Sequence, residues 1–199
     1  MNRQTQRFTV PGPAGLLELA VDDPADAPRG VALLLHPLPT HGGTMDNKVV
    51  QTLVRAALQL GYRAVRLNFR GVGRSEGVFD HGVGEVEDAL AVAIAQREAG
   101  LPFLLAGFSF GAFVATKVAE RLAADGAAVD RLALVGLAAS RFPATPVLHG
   151  EHDDVVPLAA VLDWARPQGL PVTVLPGVGH FFHGQLALLK RLLVQALSS

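Results

Sequence analysis

The sequence contains no cysteine. Disulfides, thiolate catalysis and cysteine-ligated metals are therefore excluded, while the redox compartment is left open. Net charge is nearly absent too: 17 Lys and Arg stand against 18 Asp and Glu, and the charges are scattered. With no basic stripe, there is no electrostatic footprint for nucleic acid or for an acidic lipid surface. Long hydrophobic runs are missing, the longest falling well short of the ~20 residues of a membrane-spanning helix. The N-terminal stretch MNRQTQRFTVPGPAG has no apolar segment of the kind a secretory signal needs. A soluble, cytoplasmic chain that binds neither nucleic acid nor membrane is the expectation. Linkers, repeats and low-complexity tracts are absent as well, so residues 1–199 read as a single domain. Oligomeric state is not legible.

Hydrophobic residues make up 50% of the chain, ample for a sizeable core. They fall into short runs that alternate with helical patterns. FTV and LLELAV flank a Pro/Gly turn and predict an N-terminal antiparallel hairpin. Val31–Leu35, Ala64–Phe69, Phe103–Phe108, Leu132–Leu137, Pro146–His149 and Val172–Leu175 follow as strands. Most are continuously apolar, as strands covered on both faces are. Asn47–Leu60 sets Val50, Leu53, Val54, Ala57 and Leu58 on one helical face, with Gly61 to stop it. Glu85–Ala99, Phe110–Ala124, Leu158–Ala165 and Leu186–Leu197 are the further helices. This alternation predicts a doubly wound, mainly parallel α/β sheet. Only about eight residues separate Leu137 from Pro146, too few for a usual crossover helix or a lid.

Gly107-Phe108-Ser109-Phe110-Gly111 lies between an apolar strand and a helical pattern. A serine in such a G-x-S-x-G turn is held strained and exposed, and the glycines remove side chains that a tight turn cannot hold. The helix N-terminus beneath favours negative charge. The plainer alternative is a serine that only caps the helix. A serine hydroxyl is a weak nucleophile; it needs a base, and the base needs an orienting acid. Candidates occur at later strand ends. PVLHGEHDDVVP offers Asp153, with Asp154 beside it, and VTVLPGVGHFFHG offers His180, with His183 after it.

Five stretches in order, HPLPTHGGTMDNKVV, RLNFRGVGRSEG, GFSFGAFVA, HGEHDDVVP and GHFFHG, make the chain resemble the α/β-hydrolase superfamily. Within it, the likeness is to small bacterial serine hydrolases without a lid, of the esterase and dienelactone-hydrolase kind. The resemblance implies an α/β-hydrolase fold and a Ser-His-Asp triad. Its acid loop G-x-x-D-x-x-V-P falls on Gly150, Asp153, Val156 and Pro157, which selects Asp153 over Asp154. Its histidine follows a glycine, which selects His180 over His183. One oxyanion-hole donor is then the backbone N–H of Phe110, after the nucleophile. The other is assigned by the same resemblance to Leu38, between Pro37 and Pro39, which have no N–H. His36 braces that loop.

The implied activity is hydrolysis of carboxylic esters or thioesters of small to medium acyl groups through an acyl-serine, with no cofactor. A small-molecule ester or thioester is thus the expected partner, and without a lid Ser109 should stand open to solvent. The alternative is a catalytically silent binding or scaffold protein on the same fold. The glycines of NFRGVGRSEG do not match G-x-G-x-x-G and open no helix, so they read as a structural turn, with Arg70 and Arg74 in surface ion pairs. His149, His152, Asp153, His180 and His183 invite a metal reading. No H-E-x-x-H is present, and they read as a cluster at one rim of the sheet, with no metal expected. Trp164, Phe181 and Phe182 read as core.

Overall fold

The computed structural model describes residues 5–137 and 147–198. The expected hairpin is β1 (Gln6–Gly12) with β2 (Gly15–Asp22), antiparallel. Then follow β3 (Gly30–Leu35), α1 (Lys48–Gln59), β4 (Tyr62–Leu67), α2 (Val83–Gln96), β5 (Phe103–Phe108), α3 (Phe110–Ala124), β6 (Arg131–Val135), β7 (Val147–Gly150), α4 (Leu158–Ala165), β8 (Val172–Leu175) and α5 (Leu186–Ser198). The strands form one eight-stranded sheet in the order β1-β2-β4-β3-β5-β6-β7-β8. β2 pairs antiparallel with β4, and every pair from β4 onward is parallel. The short connection expected between Leu137 and Pro146 lies outside the described residues.

Alternation along each central strand assigns its side chains to two layers. Leu33, Leu35, Leu105 and Leu134 face α2 and α3; Ala32, Leu34, Leu104, Ala106 and Phe108 face α1 and α5. Both layers are buried, which is why these strands are continuously apolar. A third, smaller cluster sets Val147, Val156 and Val161 against Trp164 under α4.

Several boundaries differ from the sequence reading, and three of them have a local reason. β4 ends at Leu67 because the Phe69 amide donates to His36 Nε2 rather than to a strand partner. β6 ends at Val135 because Gly136 turns at φ 57. α2 begins at Val83, ahead of Glu85, because the Glu85 carboxylate reaches back to accept from the Gly82 and Asp80 amides. That side chain satisfies donors the helix leaves unpaired.

The chain crosses from β3 to β4 on one side and returns to β5 on the other. The carboxyl ends of β3 and β5 therefore diverge, the place where open α/β sheets form a crevice.

Candidate active site

Ser109 leaves β5 with φ 54 and ψ −117, a conformation that costs an L-residue about 1–3 kcal/mol. Close packing makes the turn possible. A Cβ on Gly107 would lie 2.2 Å from the Gly111 carbonyl oxygen, and one on Gly111 would lie 2.4 Å from the Leu35 carbonyl oxygen. The Ser109 amide donates to the Val135 carbonyl at 2.9 Å, tying the turn to β6. Ser109 occupies the position before α3, yet its side chain makes no capping bond. Its Oγ is instead 3.0 Å from His180 Nε2.

The loop after β7 folds around the Asp153 carboxylate. Oδ1 accepts from the Val155 amide at 3.0 Å and the Val156 amide at 2.7 Å. Oδ2 is 2.7 Å from His180 Nδ1. Burial pushes the carboxyl upward, but the hydrogen bonds from His180 and Val156 outweigh it and hold Asp153 below its ordinary range. A carboxylate only accepts, so His180 Nδ1 carries the proton and Nε2 presents a lone pair to Ser109. The acid and histidine loops are joined where the His152 amide donates to the Val178 carbonyl at 2.9 Å. Asp154 and His183 are both exposed, and His183 lies in the turn before α5 rather than in its first turn.

On the β3 side, the Leu38 carbonyl accepts from the amides of His41 at 3.2 Å and Gly43 at 3.0 Å. His36 is fully buried, and burial pushes it down from its ordinary 6.5 to about 4. The Phe69 N–H donates to His36 Nε2 at 3.1 Å, so Nδ1 bears the proton and donates to the Pro37 carbonyl at 2.6 Å. That carbonyl belongs to the peptide unit of the Leu38 N–H, which points the opposite way in a trans peptide. His36 thus braces the loop by fixing the plane of that amide. Among the described residues, neither the Leu38 nor the Phe110 amide donates to a protein acceptor.

Ser109, Leu38, Phe110 and His180 share a cleft of about 390 Å³ with Phe113 and Val156, and among the described residues its lining includes no Lys, Arg, Asp or Glu. The expectation that Ser109 stands open to solvent is corrected. The residue is 9% exposed, at the floor of a cleft walled by Phe and Val side chains.

The remaining expectations divide. Neither arginine pair lies wholly at the surface: Arg74 is exposed but its partner Glu18, 3.0 Å away, is buried, and Arg70 grips the fully buried Asp88 with two bonds of 2.7 Å. Phe182 is core, whereas Phe181 is 45% exposed and lines the cleft. Trp164 packs on the core. Among the described residues, no group of three His, Asp or Glu is arranged to hold a metal ion. Gly136 escaped sequence reasoning. A Cβ there would lie 3.3 Å from His180 Cε1 and 3.1 Å from the Phe108 ring, so its smallness makes room for the imidazole. No local signal marks it, because that contact joins β6 to the loop after β8.

A thioesterase-domain family model matches residues 64–175, which takes in Ser109 and Asp153 and ends ahead of His180. An α/β serine hydrolase homologue from Coxiella burnetii is 39% identical, with 96% of this chain and 97% of that one covered at a TM-score of 0.87. A serine hydrolase without a lid from Xanthomonas campestris is 37% identical, with 100% and 95% covered at 0.89. An uncharacterized protein of Rickettsia prowazekii is 42% identical over 113 residues, 55% of this chain. The chain spans about half, 48%, of that curated relative's length.

Proposed function

The chain belongs to the lidless serine hydrolases of the α/β-hydrolase superfamily, and from that premise we propose that it cleaves uncharged carboxylic esters or thioesters through an acyl-Ser109 intermediate. One observation carries this reading: a single imidazole lies 3.0 Å from Ser109 Oγ and 2.7 Å from Asp153 Oδ2.

Ser109 Oγ attacks the carbonyl carbon as its proton passes to His180 Nε2. Asp153 keeps the proton on Nδ1 and stabilises the imidazolium. The carbonyl oxygen, now negative, accepts from the Leu38 and Phe110 N–H groups, the latter at the positive end of α3. The tetrahedral species collapses. The carbon–oxygen or carbon–sulfur bond to the leaving group breaks, and Nε2 returns the proton to it. Water, deprotonated by the same nitrogen, then attacks the acyl carbon and frees the acid and Ser109. The apolar cleft favours small to medium uncharged acyl groups. The activity is that of one domain, residues 1–199, acting on a small molecule.

A fluorophosphonate probe and p-nitrophenyl butyrate test the reading. The probe should label Ser109 in the folded protein and not after denaturation. S109A should lose turnover on the order of 10⁴-fold or more. Near-wild-type turnover by S109A refutes the assignment; absence of labelling at neutral and mildly alkaline pH favours a silent binding protein.

A further inference from the structure

His149 sits in β7 between Leu148 and Gly150, and none of it reaches solvent. The hydrolysis proposed above makes no use of it. Its Nε2 is 2.9 Å from the Val156 carbonyl oxygen and 3.6 Å from Asp153 Oδ2. A carbonyl only accepts, so Nε2 carries the proton and Nδ1 is left as a buried lone pair. No protein donor meets that lone pair among the described residues. A buried acceptor without a donor costs about 1–3 kcal/mol. A valine or leucine, as fits the rest of this apolar strand, escapes that cost. The histidine therefore needs a reason beyond packing.

The reason lies in what its one proton does. Val156 is held twice: its N–H donates to Asp153 Oδ1 at 2.7 Å, and its carbonyl accepts from His149. The loop that carries the acid is thereby pinned to the strand below it. The same N–H also stands near the carboxylate oxygen that holds His180, as a neutral dipole. Asp153 and His180 are the titratable groups that act on His149 from the neighbouring loops; burial, with His180 in the same direction, outweighs Asp153 and the Val156 carbonyl and lowers the imidazole below its ordinary 6.5. A second cation beside that carboxylate would compete with the His180 imidazolium; a neutral N–H donor does not.

We propose that His149 is a positioning residue that clamps Val156 and so aims the Asp153 carboxylate at His180. The inference rests on the Ser109–His180–Asp153 reading. H149L removes the donor, whereas H149Q places an amide N–H near the same point. On p-nitrophenyl butyrate, H149L should lower kcat by on the order of tenfold to a hundredfold with little change in KM. Its acidic limb of kcat/KM should move to lower pH, because a misaimed carboxylate stabilises imidazolium less. H149Q should recover most of both. A purely structural role lowers the amount of folded enzyme and does not move the limb. In the wild-type protein, ¹⁵N chemical shifts should report His149 as the neutral Nε2–H form from pH 7.5 to 9, above its ordinary value of 6.5. This readout stands even where a variant fails to fold. Unchanged kcat and limb in H149L, no recovery in H149Q, or a His149 that is protonated or Nδ1–H in that range overturns the inference alone. Turnover by S109A, assayed alongside, overturns both this inference and the reading beneath it.

Discussion

Ser109 holds a backbone conformation unfavourable to an L-residue, and its hydroxyl forgoes the cap that its position before α3 offers. A serine used only as a cap spends its oxygen on a helix amide; this one faces an imidazole instead. That arrangement is what the proposed nucleophile requires. Asp153 gives the sharpest residue-scale prediction. D153N keeps the shape but replaces an acceptor with a donor, which reverses the His180 tautomer and leaves Nε2 protonated toward Ser109. The kcat of D153N should fall by roughly 10⁴-fold, and a fall below tenfold in steady-state assays would show that the carboxylate does not set the tautomer. Resemblance to the superfamily's acid loop G-x-x-D-x-x-V-P is what set Asp153 apart from Asp154 in the sequence, and in the fold Asp153 is buried and Asp154 exposed. Gly136 carries no such pattern, since it acts on His180, far along the chain; His149 acts only seven residues ahead, on Val156, through a contact that no spacing rule marks.

Elements place these groups by how closely their backbones approach. α3 lies against the end of β3 because Gly111 has no Cβ to meet the Leu35 carbonyl. G111A should push helix and strand apart, destabilise the protein by about 1–3 kcal/mol in urea unfolding, and lose activity as the Phe110 amide shifts. Full stability and activity in G111A would mean that the approach is not needed. The loops after β3, β5, β7 and β8 together wall an apolar cleft to which the described residues contribute no Lys, Arg, Asp or Glu. Seating an anionic acyl group there removes it from water without a partner. We expect kcat/KM for p-nitrophenyl butyrate to exceed that for p-nitrophenyl hemisuccinate by roughly tenfold or more; equal values would place the acyl group outside the cleft. Helix and strand cores were legible from period alone, whereas several ends were not, three of them for a nameable reason. Each of those three ends is set by a side chain or turn that answers to a neighbouring element: His36 at β4, Gly136 at β6 and Glu85 at α2.

Across the whole molecule, burial of polar groups links stability to pH. His36 has its pKa lowered by burial from 6.5 to about 4, so between those values the unfolded chain binds a proton that the native protein refuses. Its contribution is complete above the unfolded value and is lost as pH falls through that window, on the order of 3 kcal/mol. His149, lowered by burial as well, acts in the same direction. Asp153, also lowered, adds a contribution that is present above the ordinary carboxylate value of 3.8 and fades as pH falls through its lower folded value. Urea unfolding of the wild type should show this decline from pH 6.5 to 4, and H36N should flatten it; an equal slope in H36N would assign the effect elsewhere. The sequence by itself determined the alternation of strands and helices and the two-sided burial, because periodicity is a local property; it offered Ser109 from its turn motif, and Asp153 and His180 by resemblance. Only the tertiary structure decided that Ser109 lies at a cleft floor, that His36 takes the Phe69 amide and so orients the Pro37–Leu38 peptide, and that Gly136 lies against the His180 imidazole. Those are contacts between strand ends, and their distances are set by how the sheet brings its edges together.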